Sequence, residues 1–370
     1  MTAPSHKLQA FSDSTSILGW QVLEELIPAG PIISEIAISP IVIAVAIAMI
    51  AHGSRPEIDA ALCGRIGILD ARDLEDIIDK ALGSVHAQKS TITFEHSSGF
   101  FTTSWQNSVS GQYIMSIMRA GAAIKHWDGG SSSLTGQINR WMTNRAAGFP
   151  HVSLDRRIYP DWRAVIANVV GFSAIWESEF NFQNIRRENF YVGSETRRVD
   201  TMMRYRECLL VAQSQDYIAV SIPYRRCDSM QCSFSATMAK NNEGDFNNLV
   251  TSLRINPPKY KITFVEKFSL PRFFLQTTVV LKSNLARLNL PLDKSLPNIG
   301  PGFEHLDEIV HSVTIDVEGT GAMSAVTAGV AGNSGAEAHR PELVFNRPFL
   351  FTVTTLDTNL VLLMGTYCPG

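Results

Sequence analysis

Apolar side chains recur at helical spacing in the first part of the chain and at strand spacing in the rest. Ile17, Leu18, Val22, Leu23 and Leu26 fall on one stripe of a helix over residues 14–27, after a Ser/Thr-rich start able to cap it. Residues 41–51 are apolar throughout. Eleven residues fall well short of the roughly 20 a membrane span needs, and Ser39-Pro40 supplies a helix start, so the run predicts a buried helix over 41–52. A third helix is expected over 56–66, opened by Pro56 and stopped by Gly64 or Gly67. Helical pattern returns at 72–82 and at 132–146, where Leu134, Ile138, Trp141 and Met142 share a face, so the first 150 residues read as mostly helical. The period then changes. Residues 165–172, 190–192, 208–212, 218–222, 232–238, 262–268 and 313–317 read as strands, with one helix over 280–288. Helices first, then strands that do not alternate regularly with helices, is the α+β pattern.

Composition removes several function classes. A net charge of −3 argues against a nucleic-acid binder, which needs a clustered basic face; Arg186-Arg187, Arg197-Arg198 and Arg225-Arg226 are isolated pairs that read as solvated surface. The five cysteines are too scattered for a disulfide framework, and Cys227 and Cys232 lack a second Cys or His pair at zinc spacing, so all read as free thiols. None of the nine histidines stands in metal-ligand register, and the solitary Gly19, Gly53 and Gly171 form no phosphate-cradling loop. Gly332-Asn333-Ser334-Gly335 lacks the Gly-x-Ser-x-Gly spacing of a nucleophile elbow. The expectation is a protein that is not an enzyme and takes no cofactor or metal. Met1 to Lys7 has no apolar signal-peptide core and the chain has no Asn-x-Ser/Thr acceptor; both favour a cytoplasmic location, with release by a signal-independent route left open.

One stretch resists this scheme. Residues 319–338 are Gly, Ala, Ser, Thr, Val and one Met, with only Asn333 and Glu337 outside that set. Such a composition suits a flexible linker. Strand sequence resumes at once, however, at 343–345 and 349–351, and the chain closes soon after Met364-Gly365, so the stretch lies inside a domain.

Several segments taken in order resemble the serpin family. Ile38-Ser39-Pro40, leading to a helix that ends Met49-Ile50-Ala51-His52-Gly53, resembles the "FSPLSI…AMxxLGA" segment of serpins, and Ile138-Asn139-Arg140-Trp141 resembles their "INxWV" helix. Residues 168–180 resemble "NAIYFKGxWxxxF". Thr201-Met202-Met203, Ile222-Pro223-Tyr224, Leu270-Pro271-Arg272-Phe273, Phe345-Asn346-Arg347-Pro348-Phe349 and Met364-Gly365 follow in family order, so the likeness runs from about residue 10 to the end. The resemblance implies a single serpin domain over 1–370: a helical N-terminal part, a large central mixed sheet, further sheets and an exposed reactive loop over 319–342. It also implies suicide inhibition. A target protease attacks the loop and forms an acyl-enzyme, and the cut loop inserts into the main sheet before hydrolysis.

Glu318-Gly319-Thr320 matches the family's "EGT" and sets a hinge over 318–326: Glu318, Gly319, Thr320, Gly321, Ala322, Met323, Ser324, Ala325 and Val326. On insertion, alternation turns Thr320, Ala322, Ser324 and Val326 inward and Gly321, Met323 and Ala325 outward. The inward side chains are small or medium, as a closed core demands. No proline interrupts 319–340 and no charge occurs over 319–333, so neither a missing donor nor a desolvated charge obstructs insertion.

Counting from the hinge places the reactive bond at Asn333-Ser334. Counting back from Phe345-Asn346-Arg347-Pro348 gives Glu337-Ala338, because the loop is about four residues longer than the commonest length. Hinge counting is preferred, since inserted length governs trapping. Asn333 suits an asparaginyl cysteine protease, whereas Val330 and Ala331 suit an elastase-like pocket that takes small apolar groups. No Arg or Lys occurs over 319–339, which argues against trypsin-like targets, and Arg340 is followed by Pro341.

The resemblance also assigns Ser39, Asn168, Trp176 and His311 to the shutter and breach where the main sheet opens. It departs at Val42, where the family has a second shutter serine, at Val317, where it has glutamate, at Gly321, and at His311, two residues closer to the hinge than expected. Residues 68–95 show no Lys/Arg cluster, so heparin activation is not expected. The expected partner is a target protease in covalent complex with a monomer that binds neither nucleic acid nor membrane. The alternative is a non-inhibitory serpin acting as carrier, chaperone or scaffold.

Overall fold

A computed structural model describes residues 6–28, 34–82, 91–103, 109–119, 122–126, 133–145, 149, 153–154, 162, 164–227, 230–240, 246–292, 294, 296–318 and 341–370. Its N-terminal part runs α1 His6–Leu26, β1 Ile36–Ile38, α2 Pro40–Gly53, α3 Pro56–Arg65, α4 Leu74–Leu82, β2 Ile92–Thr102, α5 Gly111–Arg119, β3 Ala122–His126 and α6 Leu134–Arg145. The rest is mostly strand: β4 Ala164–Ala174, β5 Ile185–Val192, β6 Glu195–Gln213, β7 Tyr217–Pro223, β8 Cys232–Ala239, α7 Phe246–Ile255, β9 Lys261–Pro271, β10 Phe273–Val280, α8 Lys282–Arg287, β11 Glu308–Val317, β12 Glu342–Val344, β13 Phe349–Thr355 and β14 Val361–Tyr367. The α+β class holds, but the first 150 residues are less uniformly helical than their pattern suggests. β2 and β3 lie among the helices and join β4 in the central sheet.

Two sheets organise these elements. One has nine strands, ordered β1-β14-β13-β8-β7-β6-β9-β12, with β5 paired to β6. The other has five, ordered β10-β11-β4-β2-β3. Between them lies α2, the run that is apolar on every side. A helix of this kind must be buried all round; it touches β14 on one side and β2 and β4 on the other, and all of its residues but His52 are buried.

Close approach explains two glycines. A Cβ on Gly19 of α1 would collide with the Pro40 ring at the start of α2, so glycine lets the two helices meet there. A Cβ on Gly365 of β14 would overlap the Ile36 carbonyl of β1 and the Phe351 ring of β13. The Met364-Gly365 pair near the chain's end therefore answers to packing on two neighbouring strands. β6 pairs β5, β9 and β7 along its length, and its register with β9 runs on unbroken past Arg206, whose φ is 55°.

Candidate functional site

The five-stranded sheet has an unusual centre. β10 pairs β11 and β2 pairs β4 antiparallel, but β4 and β11 run parallel and are bonded directly, from Glu308 opposite Val165 to Asp316 opposite Ser173. Both strands therefore end on the same side of the sheet. A further strand entering between two parallel neighbours from that side would be antiparallel to both, and a parallel ladder is slightly the weaker kind.

At mid-seam the N-cap of α2 is tied to β11. Ser39 does not cap its own helix with its side chain. Its Oγ donates to the Leu362 carbonyl of β14 at 2.7 Å, and its backbone N–H donates to Nε2 of His311 at 2.9 Å. His311 is fully buried, and burial alone pulls its pKa down to about 3. The ring is thus neutral, with Nε2 accepting and the proton on Nδ1. Its register partner across the seam is Asn168, also fully buried, whose Nδ2 donates to the Val42 carbonyl at 3.4 Å. His311 Nδ1 and Asn168 Oδ1, a donor and an acceptor on paired residues, each lack a hydrogen-bond partner among the described residues. Ser39, Asn168 and His311 thus stand together at one level of the seam. The two-residue shift seen in the sequence does not take His311 away from Asn168. Val42 contributes its carbonyl rather than a hydroxyl.

Just beyond the end of the seam Trp176 ties the two strand ends together. It is buried, stacks on Tyr224 with ring centroids 4.4 Å apart, and meets Phe180 and Phe234 edge-on. Its indole Nε1 donates to the Glu318 carbonyl at 2.6 Å, tying the segment after β4 to the residue just beyond β11. The Glu318 carboxylate in turn pairs with Arg272 at 2.6 Å. Arg204 supports this segment from below. Its guanidinium lies 4.4 Å from the Phe180 ring centroid and donates to the Ser178 carbonyl, while burial lowers its pKa and raises that of its ion-pair partner Glu207.

The sequence singled out Trp176 and Glu318 but not Arg272, which stands between β9 and β10 and meets Glu318 only through the β10–β11 register. Val317 leaves the preceding position without a carboxylate, and the carboxylate that meets Arg272 is that of Glu318.

The chain leaves this corner at Glu318 and returns at Pro341, whose carbonyl accepts from Glu266 N at 3.0 Å, before Glu342 pairs with Lys267. Residues 319–340 therefore connect a central strand of one sheet to an end strand of the other. The hinge positions Gly319 to Val326 and the bond candidates Val330, Ala331, Asn333, Ser334, Glu337 and Ala338 lie outside the described residues.

Residues 15–369 match the family model "Serpin (serine protease inhibitor)". Iripin-5 of Ixodes ricinus is 24% identical over 354 residues, covering 90% of this chain and 88% of that protein. Among solved structures, Arabidopsis AtSerpin1 in its native stressed conformation superposes with a TM-score of 0.81 at 18% identity over 98% of both chains. The thermophilic serpin tengpin in its native state gives 0.78 at 21% identity over 99% of this chain and 95% of that one. With a family match spanning nearly its whole length, and a fold shared with native serpins, this chain belongs to the serpin family.

Proposed function

We propose that this protein inhibits a protease by offering residues 319–340 as a substrate and trapping the attacker as an acyl-enzyme. The observation that carries this reading is the closed parallel seam of β4 and β11, with the connecting segment leaving from the end of β11. After cleavage the hinge-side part of the segment enters the seam as a strand antiparallel to both neighbours and carries the esterified protease with it. Serpins are generally inhibitors of proteases and not catalysts, and here the chemistry belongs to the target's nucleophile. The protein supplies the bait and the free energy of strand insertion.

Asn333-Ser334 is the proposed bond, with elastase-like, other small-residue-preferring or asparaginyl/cysteine proteases as targets. The protein acts as a monomer without heparin. Incubation with elastase-, cathepsin- and asparaginyl-type proteases is expected to yield a covalent complex that survives denaturant, and the released C-terminal peptide, weighed by mass spectrometry, should begin at Ser334. Cleavage with no complex, and no rise in the thermal stability of the cut protein, would leave a carrier, chaperone or scaffold role in its place.

A further inference from the structure

Asp316 ends the β4–β11 register, opposite Ser173 on one side and Phe274 of β10 on the other. Its carboxyl is partly buried, and Oδ1 has no hydrogen-bond partner among the described residues. Two charged groups act on it. Glu318 lies two residues further along, and Arg272 stands beside the start of β10. Arg272 is engaged with the Glu318 carboxylate, so Asp316 is the uncompensated member of the three. The register partners Ser173 and Phe274 carry no charge. The buried Tyr224 phenol, itself without a hydrogen-bond partner among the described residues, feels the Asp316 charge as a further upward push on its own pKa. Burial first, and Glu318 second, push the Asp316 carboxyl up to about 6 against the opposing pull of Arg272.

We propose that Asp316 is a positioning residue that sets how readily β11 parts from β4, its ionised carboxylate weakening the last rung of the seam and its protonated form holding it shut. The proposal rests on the loop-insertion reading above. Opening the seam admits water to Asp316 and relieves its burial, the largest cause of the raised value, so its carboxyl falls back toward the ordinary carboxylate range. The closed seam therefore holds the higher pKa. Its extra stability is complete below that ordinary range and is lost as pH rises through about 6. One pKa unit is tenfold in an equilibrium, and a partly exposed group is screened, so opening should be about tenfold easier at pH 7.5 than at pH 5.

The test uses the full chain and a synthetic peptide with the sequence of residues 320–333, whose annealing into the seam is followed by the rise in thermal stability. Annealing is expected to speed up about tenfold between pH 5 and pH 7.5. Asp316→Asn should anneal at the slow rate throughout. Glu318→Gln, which frees Arg272 to pair with Asp316, should move the midpoint well below 6. Hydrogen exchange of the β4 and β11 amides, corrected for intrinsic rates, should show the same pH profile. Annealing that proceeds with no pH dependence, or with the same dependence in Asp316→Asn, overturns the role of Asp316 and leaves insertion standing. Absence of annealing at every pH, together with no thermal gain on cleavage, overturns the insertion reading and this proposal with it.

Discussion

His311 holds its place by being uncharged. Its Nε2 accepts the Ser39 amide N–H, and protonation would abolish that acceptor and leave a buried cation with no carboxylate acting on it among the described residues. A base whose folded pKa is depressed binds fewer protons folded than unfolded, so its effect is absent above the ordinary histidine value and destabilises progressively below it. Between about pH 6.5 and about pH 3 the native state should lose roughly 1.4 kcal/mol per pH unit from this site. Asp316 has the opposite sign, since its raised pKa makes the native state the better proton binder between the ordinary aspartate range and about 6. His311→Asn should therefore flatten the acid limb of the pH–stability curve, and Asp316→Asn should steepen it. Urea titrations at half-unit pH steps would show this, and parallel curves for wild type and His311→Asn would rule out the buried neutral imidazole. His311→Asn should also cost about 1–3 kcal/mol at pH 7 if the Ser39 N–H loses its acceptor. Little of this was legible in the sequence. Spacing measured from Gly319 puts His311 two residues out, whereas the contact depends on which residue of β11 faces Asn168, a matter of register across more than a hundred residues of chain.

At the scale of elements, motifs that punctuate the chain were readable and flat stretches were not. Ser39-Pro40 announced α2 and Pro56 announced α3, because proline at the first helical turn fixes φ and forgoes an N–H the helix does not use. β2 was not expected, because His96, Ser97, Ser98 and Gly99 break its apolar alternation, although it is central in its sheet. α5 is only nine residues long; Tyr113, Ile114 and Ile117 share its inner face, but Met115 and Met118 are exposed and blur the pattern. β9 and β10 are separated by Arg272 alone, with no Gly or Asn to mark the bend. That same bend delivers Arg272 to Glu318. At this corner the strand ends are held by the Trp176 donation to the Glu318 carbonyl and by an ion pair whose side chains are each 40% exposed. The ion pair contributes little on that account, about 0.5 kcal/mol at most, and the indole bond about 1 kcal/mol. Trp176→Phe keeps an aromatic ring against Tyr224 and removes only the donor. It should anneal the 320–333 peptide about fivefold faster than wild type, while Arg272→Met changes the rate less than threefold. A larger effect from Arg272→Met would reverse that order of importance.

For the whole molecule the decisive property is the routing of the chain from the middle of one sheet to the end of the other through residues 319–340. The family and the α+β class were legible because ordered motifs span the chain. What the connecting segment does was legible only as composition, and small uncharged residues suit a slack tether as well as a strand in reserve. The two roles differ in one physical respect, since a tether has no faces and an inserted strand has two. Ser324 and Ala325 are adjacent, both small and both uncharged, and the alternation from Thr320 turns Ser324 into the core and Ala325 toward the outer face. Ser324→Arg would then bury an unpaired guanidinium, at a cost of several kcal/mol, and should turn the protein into a substrate that is cut without forming a complex. Ala325→Arg places the same charge on the other face and should trap its protease nearly as well as wild type, with Ala322→Pro as a control that removes a ladder donor on the inward face. Measured as the ratio of covalent complex to cleaved product, Ser324→Arg and Ala322→Pro should fall together and Ala325→Arg should not. Equal behaviour of the two arginine variants would mean that the segment has no inward face, and strand insertion would have to be given up for this protein.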